Sequence, residues 1–275
     1  MTRVLSGAVL LALAVAVVWF ATAVMFLAAA ELLLVLGFVE YVTLARASGL
    51  PVPAIPSGVA AMLTCGVFAA GSRPAPIDVV LMSALVALGT LTLVTWSGGP
   101  VQRAGCGGDP GGRDAIGLAA ASLFPSLYLG LPLGAMIAIR ETRGREALFL
   151  LMLTIIVSDT AQYYSGRVFG RRLLAPAISP KKTIEGAVGG FLFGALALAL
   201  VGAWWLPVVP VLLRAALGVT VVALGITGDL FESMLKRSAG VKDSSSLIPG
   251  HGGILDRIDA LLFAAPVYYV VLKYV

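Results

Sequence analysis

Residues 184–228 read IEGAVGGFLFGALALALVGAWWLPVVPVLLRAALGVTVVALGITG, and only Glu185 and Arg214 carry charge in that stretch. It divides at Pro207 into two apolar runs, near 184–206 and 208–228. Each has the roughly 20 residues needed to cross a bilayer as a helix. Their apolar residues are continuous and do not alternate, which excludes a closed β-barrel. Outward from this pair the same pattern recurs near 4–20, 22–45, 53–71, 78–96, 115–139, 147–166 and 254–273. The whole chain is 59% hydrophobic and 12% charged, against about 25% charged for a soluble domain. Its mean hydropathy is +1.00. The expected fold is therefore an all-α polytopic integral membrane protein, a bundle of about nine transmembrane helices.

Smaller features refine this frame. Arg3, the apolar run 4–20 and Ala21-Thr22-Ala23 have the form of a signal peptide with its cleavage site. More membrane-like sequence follows at once, so a retained first helix is expected. Pro51, Pro53, Pro56, Pro74 and Pro76 punctuate the early connections, and Gly98–Gly112 reads as a flexible glycine-rich loop. Cys65 and Cys106 have neither paired nor CxxC spacing and read as ordinary thiols. No internal repeat is visible. With nine spans, thirteen Lys and Arg fall on the side of the N-terminus and five on the other, which places the N-terminus and both strongly basic loops in the cytoplasm. Residues 1–140 are expected to supply N-terminal transmembrane helices with little chemical signal. Residues 141–275 are expected to form a C-terminal catalytic region with cytoplasmic loops at 167–183 and 233–256.

Charge inside such a chain is informative, because idle charge next to hydrocarbon is unfavourable. Three polar clusters stand out. In the first, helical spacing puts Asp159, Gln162, Tyr163 and Gly166 on one face, so a carboxylate points into the bundle; a buried packing contact is the plainer alternative. The second runs from Arg171-Arg172 to Ser179-Pro180-Lys181-Lys182-Thr183-Ile184-Glu185-Gly186, where Ser179 or Thr183 is suited to cap the next helix. Two lysines at a helix N-terminus oppose the helix dipole, and a bound phosphate would resolve that conflict. A simple positive-inside anchor is the plainer alternative. In the third, Asp229, Glu232, Ser233 and Lys236 form one helical stripe, followed by Lys242-Asp243, His251-Gly252-Gly253, Asp256-Arg257 and Asp259. Carboxylates at Asp229 and Asp256 are placed to converge on a hard cation such as Mg²⁺, completed by substrate phosphates. Gly252-Gly253 would let backbone approach a phosphate closely, and Lys236, Arg237 and Lys242 would neutralise its charge. His251 is open between general acid, hydrogen-bond donor to phosphate and loop-closing side chain. Structural salt bridges would explain any one of these residues, less readily the whole set.

The third cluster carries a resemblance. Ser233-x-Leu235-Lys236-Arg237-x4-Lys242-Asp243-x-Ser245-x2-Ile248-Pro249-x-His251-Gly252-Gly253-Ile254-x-Asp256-Arg257-Ile258-Asp259 is similar to the signature of the phosphatidate cytidylyltransferase (CDP-diglyceride synthase) family. The segment Gly228-Asp229-Leu230-x-Glu232 and the two earlier clusters resemble further motifs of that family, so residues 158–259 match in detail and the rest only as an apolar frame.

The resemblance implies condensation of CTP with phosphatidic acid to CDP-diacylglycerol and pyrophosphate, in phospholipid biosynthesis. It also implies Mg²⁺, with room for a second cation. Asp229 and Asp256 are then expected metal ligands, with Asp159 and Asp259 as further candidates. His251, Lys236 and Lys242 join the two aspartates as catalytic candidates. Ser179, Lys181, Lys182, Arg237, Gly252, Gly253 and Arg257 are candidates for holding the triphosphate or lipid phosphate. The partners implied are CTP and membrane lipid, without nucleic acid, and a homodimer is compatible. Two alternatives stay open at this point: a related CTP-dependent enzyme for an ether-lipid or polyprenol phosphate, and an anion transporter. The transporter would be expected to show repeat symmetry, whereas the charge here is confined to the C-terminal half. No GxxxxGK[ST] loop is present.

Overall fold

The computed structural model describes residues 2–69, 77–95, 115–248 and 252–275. Cys106, His251 and the Gly98–Gly112 loop lie outside the described residues. The architecture is an all-α membrane bundle. Helix α1 (Thr2–Phe20) leads to α2 (Ala23–Ala47), α3 (Ala54–Gly66) with a 3₁₀ turn at Val67–Ala69, and α4 (Ile77–Thr95). Then come α5 (Ala115–Pro125), a π-helical turn at Ser126–Gly130, α6 (Leu131–Arg143) and α7 (Arg145–Phe169). Strands β1 (Leu173–Ala175) and β2 (Ser179–Thr183) precede α8 (Ile184–Trp205), α9 (Val211–Ser238) and α10 (Leu255–Lys273). Each of the nine apolar stretches corresponds, among the described residues, to one helix or one continuous helical run. Among the described residues, five such segments are long and apolar enough to cross a membrane: Ala23–Ala47, Ile116–Arg143, Arg145–Phe169, Ile184–Trp205 and Val211–Ser238.

Local chemistry sets the boundaries. The Thr22 hydroxyl caps α2 by accepting from the Met25 N–H at 3.3 Å. Pro125 has no N–H to give, and the helix passes it through a π turn in which the Leu131 N–H reaches the Ser126 carbonyl. Gly144 separates α6 from α7 at a φ of +89°. Arg214, inside the apolar run of α9, is buried but not idle: its Nη1 donates at 2.9 Å to the Gly202 carbonyl at the end of α8.

The tightest helix contact is between α7 and α8, and glycine makes it possible. Gly186, Gly190 and Gly194 recur at every fourth residue, with Gly189 beside them. A Cβ at Gly186 would stand 2.8 Å from the Gln162 carbonyl, and one at Gly190 would meet the Gln162 side chain and Ser158. Small residues at this spacing let helix backbones close up in a membrane, where packing replaces the hydrophobic drive. Gly228 does the same for α9 against the Asp259 backbone of α10. Fully buried Leu34, Leu133, Leu148, Leu217 and Tyr268 fill the core shared by α2, α6, α7, α9 and α10.

The segment expected as a loop at 167–183 is partly ordered as a β-hairpin. Helix α7 continues to Phe169, and β1 pairs antiparallel with β2. The turn Ala175-Pro176-Ala177-Ile178 closes with the Ile178 N–H on the Ala175 carbonyl at 3.1 Å, proline holding the second position. Helix α9 likewise runs ten residues past its apolar stretch, which keeps the Asp229-to-Lys236 stripe helical.

Candidate active site

A cavity of about 590 Å³ opens at one end of the bundle, a size typical of small-molecule sites. Helix α7 contributes Asp159, Gln162, Tyr163 and Gly166, the four residues expected on one face, and also Arg167. The hairpin and the start of α8 contribute Ser179, Lys181, Lys182, Thr183, Gly186 and Ala187. The far half of α9 gives Asp229 and Lys236, and the first turns of α10 give Asp256, Arg257 and Asp259. Four carboxylates and five cationic side chains therefore face one space.

The charges are arranged in pairs. The Lys182 ammonium contacts Asp229, tying the hairpin to α9. The Lys236 ammonium contacts both Glu232, one turn back on α9, and Asp256 on α10. Glu232 is almost wholly buried, with 1% of its side chain exposed, so Lys236 is what balances it. Asp159 accepts from Gln162 Nε2 at 3.1 Å, and among the described residues Asp259 accepts only from the adjacent Ala260 N–H at 2.7 Å. These two carboxylates have the fewest internal partners. Arg167 Nη1 lies 3.4 Å from the Tyr163 hydroxyl at the rim.

The hairpin is fixed by short-range capping. The Thr183 hydroxyl accepts from the Gly186 N–H at 3.1 Å and so serves as N-cap of α8, leaving Ser179 free to line the cavity. Glu185, in the first turn of α8, accepts from the N–H groups of Arg171 and Arg172 at 3.0 and 3.2 Å. That brings the end of α7, the hairpin and the start of α8 into one unit, with Lys181 and Lys182 turned to the cavity.

The remaining sequence candidates have other surroundings. Arg237 donates to the carbonyls of Ile178 and Val241 at 3.4 and 3.1 Å, bracing the hairpin turn, and does not line the cavity. Lys242 is exposed outside it. Gly252 has a φ of +81°, and a Cβ there would meet Asp256. A Cβ on Gly253 would strike Ser244 and the Glu40 carboxylate. The glycine pair thus admits two of the protein's own carboxylates against the backbone.

Glu40 was not singled out by sequence reasoning. It lies on α2, 4% exposed, and accepts from Ser244, Ser245 and the N–H groups of Ile254 and Leu255. Its signal was available: an acid within the apolar run 22–45 has no reason to be there unless it is held.

The chemistry of such a site suits polyanions, with cations to hold phosphate and aspartates to hold the cations or a hard metal ion. A family model described as "Cytidylyltransferase family" matches residues 1–275. A phosphatidate cytidylyltransferase of Aquifex aeolicus is 42% identical over 151 residues, 55% of this chain and 56% of the relative. One of Haemophilus influenzae is 48% identical over 131 residues, 45% of each. One of Mycobacterium tuberculosis is 36% identical over 174 residues, 62% of this chain and 52% of the relative. The chain spans about half the length of the curated relatives it matches.

Proposed function

Because the chain belongs to the cytidylyltransferase family, we propose that it is a membrane nucleotidyltransferase condensing CTP with phosphatidic acid to give CDP-diacylglycerol and pyrophosphate. The observation that carries this reading is the cavity in which Lys181, Lys182, Lys236, Arg167 and Arg257 stand among four aspartates. Phosphatidate brings an ionised phosphate, so its oxygen attacks the α-phosphorus of CTP without a strong general base. A P–O bond forms there, the bond to the bridging α–β oxygen breaks, and pyrophosphate leaves with its electrons. Such a reaction is promoted by alignment and by neutralising charge on the leaving group.

The residues divide that work. Lys181, Lys182 and Arg167 meet phosphate from the hairpin and α7, while Lys236 and Arg257 meet it from α9 and α10. Asp229 and Asp256 hold the ammonium groups of Lys182 and Lys236 toward the cavity. The donor set also fits Mg²⁺, since Asp159, Asp229, Asp256 and Asp259 all present hard oxygen ligands to one space. Among the described residues no three acidic, His or Cys side chains gather closely enough to form a metal site alone. That suits an ion held by one or two carboxylates, with substrate phosphates and water in its other positions. When bound, it supplies further neutralisation of the triphosphate and pyrophosphate. The excess of Lys and Arg on the side of the N-terminus supports a multi-pass orientation with the cavity facing the cytoplasm, where CTP is found.

The test is phosphoryl bookkeeping in proteoliposomes. With phosphatidate present, label from the α-phosphate of CTP is expected in lipid and label from the γ-phosphate in pyrophosphate. A panel with ether-lipid and polyprenyl phosphates runs in parallel. Lipid labelling that requires one of those and ignores phosphatidate would overturn the substrate assignment, and no labelling with any would overturn the reaction.

A further inference from the structure

Glu40 carries an inference that rests on the reading just given and extends it to the N-terminal half. Helix α10 begins at Leu255 after Ile254, a residue with no side chain able to cap it. The first N–H groups of a helix need acceptors, and a carboxylate is favoured there by the helix dipole. Glu40 supplies it from α2: the Ile254 and Leu255 N–H groups donate to its two oxygens, each at 2.9 Å. The Ser245 hydroxyl donates to the same carboxylate at 2.7 Å. No Lys or Arg among the described residues pairs with it.

The connection continues into the cavity. The Ser244 hydroxyl lies 2.8 Å from both Glu40 Oε2 and Asp256 Oδ2, so its one hydrogen is shared between two carboxylates. Asp256 Oδ2 also accepts from the N–H groups of Ser244 and Gly253, at 3.1 and 2.8 Å. That leaves Asp256 Oδ1 for Lys236. Gly253 must lack a side chain because Glu40 fills the space. Gly37, one turn earlier on α2, is packed against Leu255, so α2 meets the start of α10 through Gly37 and Glu40.

We propose that Glu40 is a positioning residue of the active site: it fixes the Ser244–Ser245 segment and the first turn of α10, and through Ser244 it sets Asp256 and Lys236 for the reaction. Losing a group of this kind typically reduces activity about 10- to 100-fold.

The experiment uses the full chain with Glu40→Gln, Ser244→Ala and the double variant, assayed for CTP-dependent lipid labelling and for amide hydrogen exchange. Glutamine keeps the shape but turns one acceptor into a donor facing N–H and O–H groups. The expected result is a fall in kcat of about 10- to 100-fold for Glu40→Gln, with the double variant falling no further than Ser244→Ala. Exchange should accelerate in residues 244–248 and 252–256 and stay unchanged in α8. If Glu40→Gln does not fold, Ser244→Ala with Ser245→Ala removes the two hydroxyl ties from the loop side and leaves the Ile254 and Leu255 N–H bonds in place. Unchanged kcat, additive losses, or faster exchange throughout the protein would each overturn the proposal. Local acceleration of exchange in a protein with no transferase activity would instead sink the functional reading and leave the anchoring by Glu40 standing.

Discussion

Lys236 and Lys182 each contact an aspartate in the cavity, but their surroundings give them different weights. Lys236 is about one-tenth exposed and balances two carboxylates, Glu232 and Asp256, that are more buried still. Removing one member of a buried ionic group leaves unpaired charge and typically costs about 3–5 kcal/mol. Lys236→Met is therefore expected to lower the melting temperature markedly as well as abolish turnover. Adding Glu232→Gln should restore part of the stability but none of the activity. Lys182 and Asp229 are one-fifth and one-third exposed, so their pair contributes no more than about 1 kcal/mol. Lys182→Ala is expected to leave the melting temperature nearly unchanged while turnover falls more than about tenfold, as for loss of charge stabilisation in a transition state. Equal stability losses in the two variants, measured by thermal unfolding in detergent, would contradict this division.

At the scale of elements, α7 and α8 act as the rigid wall that carries Asp159 on one side and the Lys181-Lys182 hairpin on the other. A side chain at Gly190 has nowhere to go, because Gln162 and Ser158 already occupy the position of its Cβ. Gly190→Val is expected to destabilise by about 1–3 kcal/mol through overpacking, and to raise the apparent KM for CTP by moving Lys182 away from Asp229. Thermal unfolding and steady-state kinetics on one preparation check both effects. The shared face of Asp159, Gln162, Tyr163 and Gly166 was readable in the sequence. The hairpin was not: its strands have three and five residues, and SPKKT has no alternating apolar pattern to signal a strand. Its order comes from Pro176 in the turn and from Glu185 gripping the backbone of Arg171 and Arg172.

At the scale of the molecule, the apolar runs were legible because a bilayer demands length and continuity, and the described residues of every run lie in a helix or directly at its end. What the sequence could not display is contact across distance. The bond from Ser244 to Glu40 spans 204 positions, and no local pattern encodes it. The orientation can be tested directly with single cysteines in a background lacking Cys65 and Cys106. Lys242→Cys should react with an impermeant thiol reagent only from the cytoplasmic face, and Glu141→Cys only from the opposite face; the reverse pattern would invert the topology. The central claim is that the cavity joining α7, the hairpin, α9 and α10 transfers a cytidylyl group. The most direct measurement is lipid labelling from CTP and phosphatidate as Mg²⁺ is titrated, in the unaltered protein and in the Asp229→Asn and Asp256→Asn variants. Cation-dependent labelling of the unaltered protein, abolished in both folded variants, is the expected result. Robust labelling that survives both substitutions would contradict it.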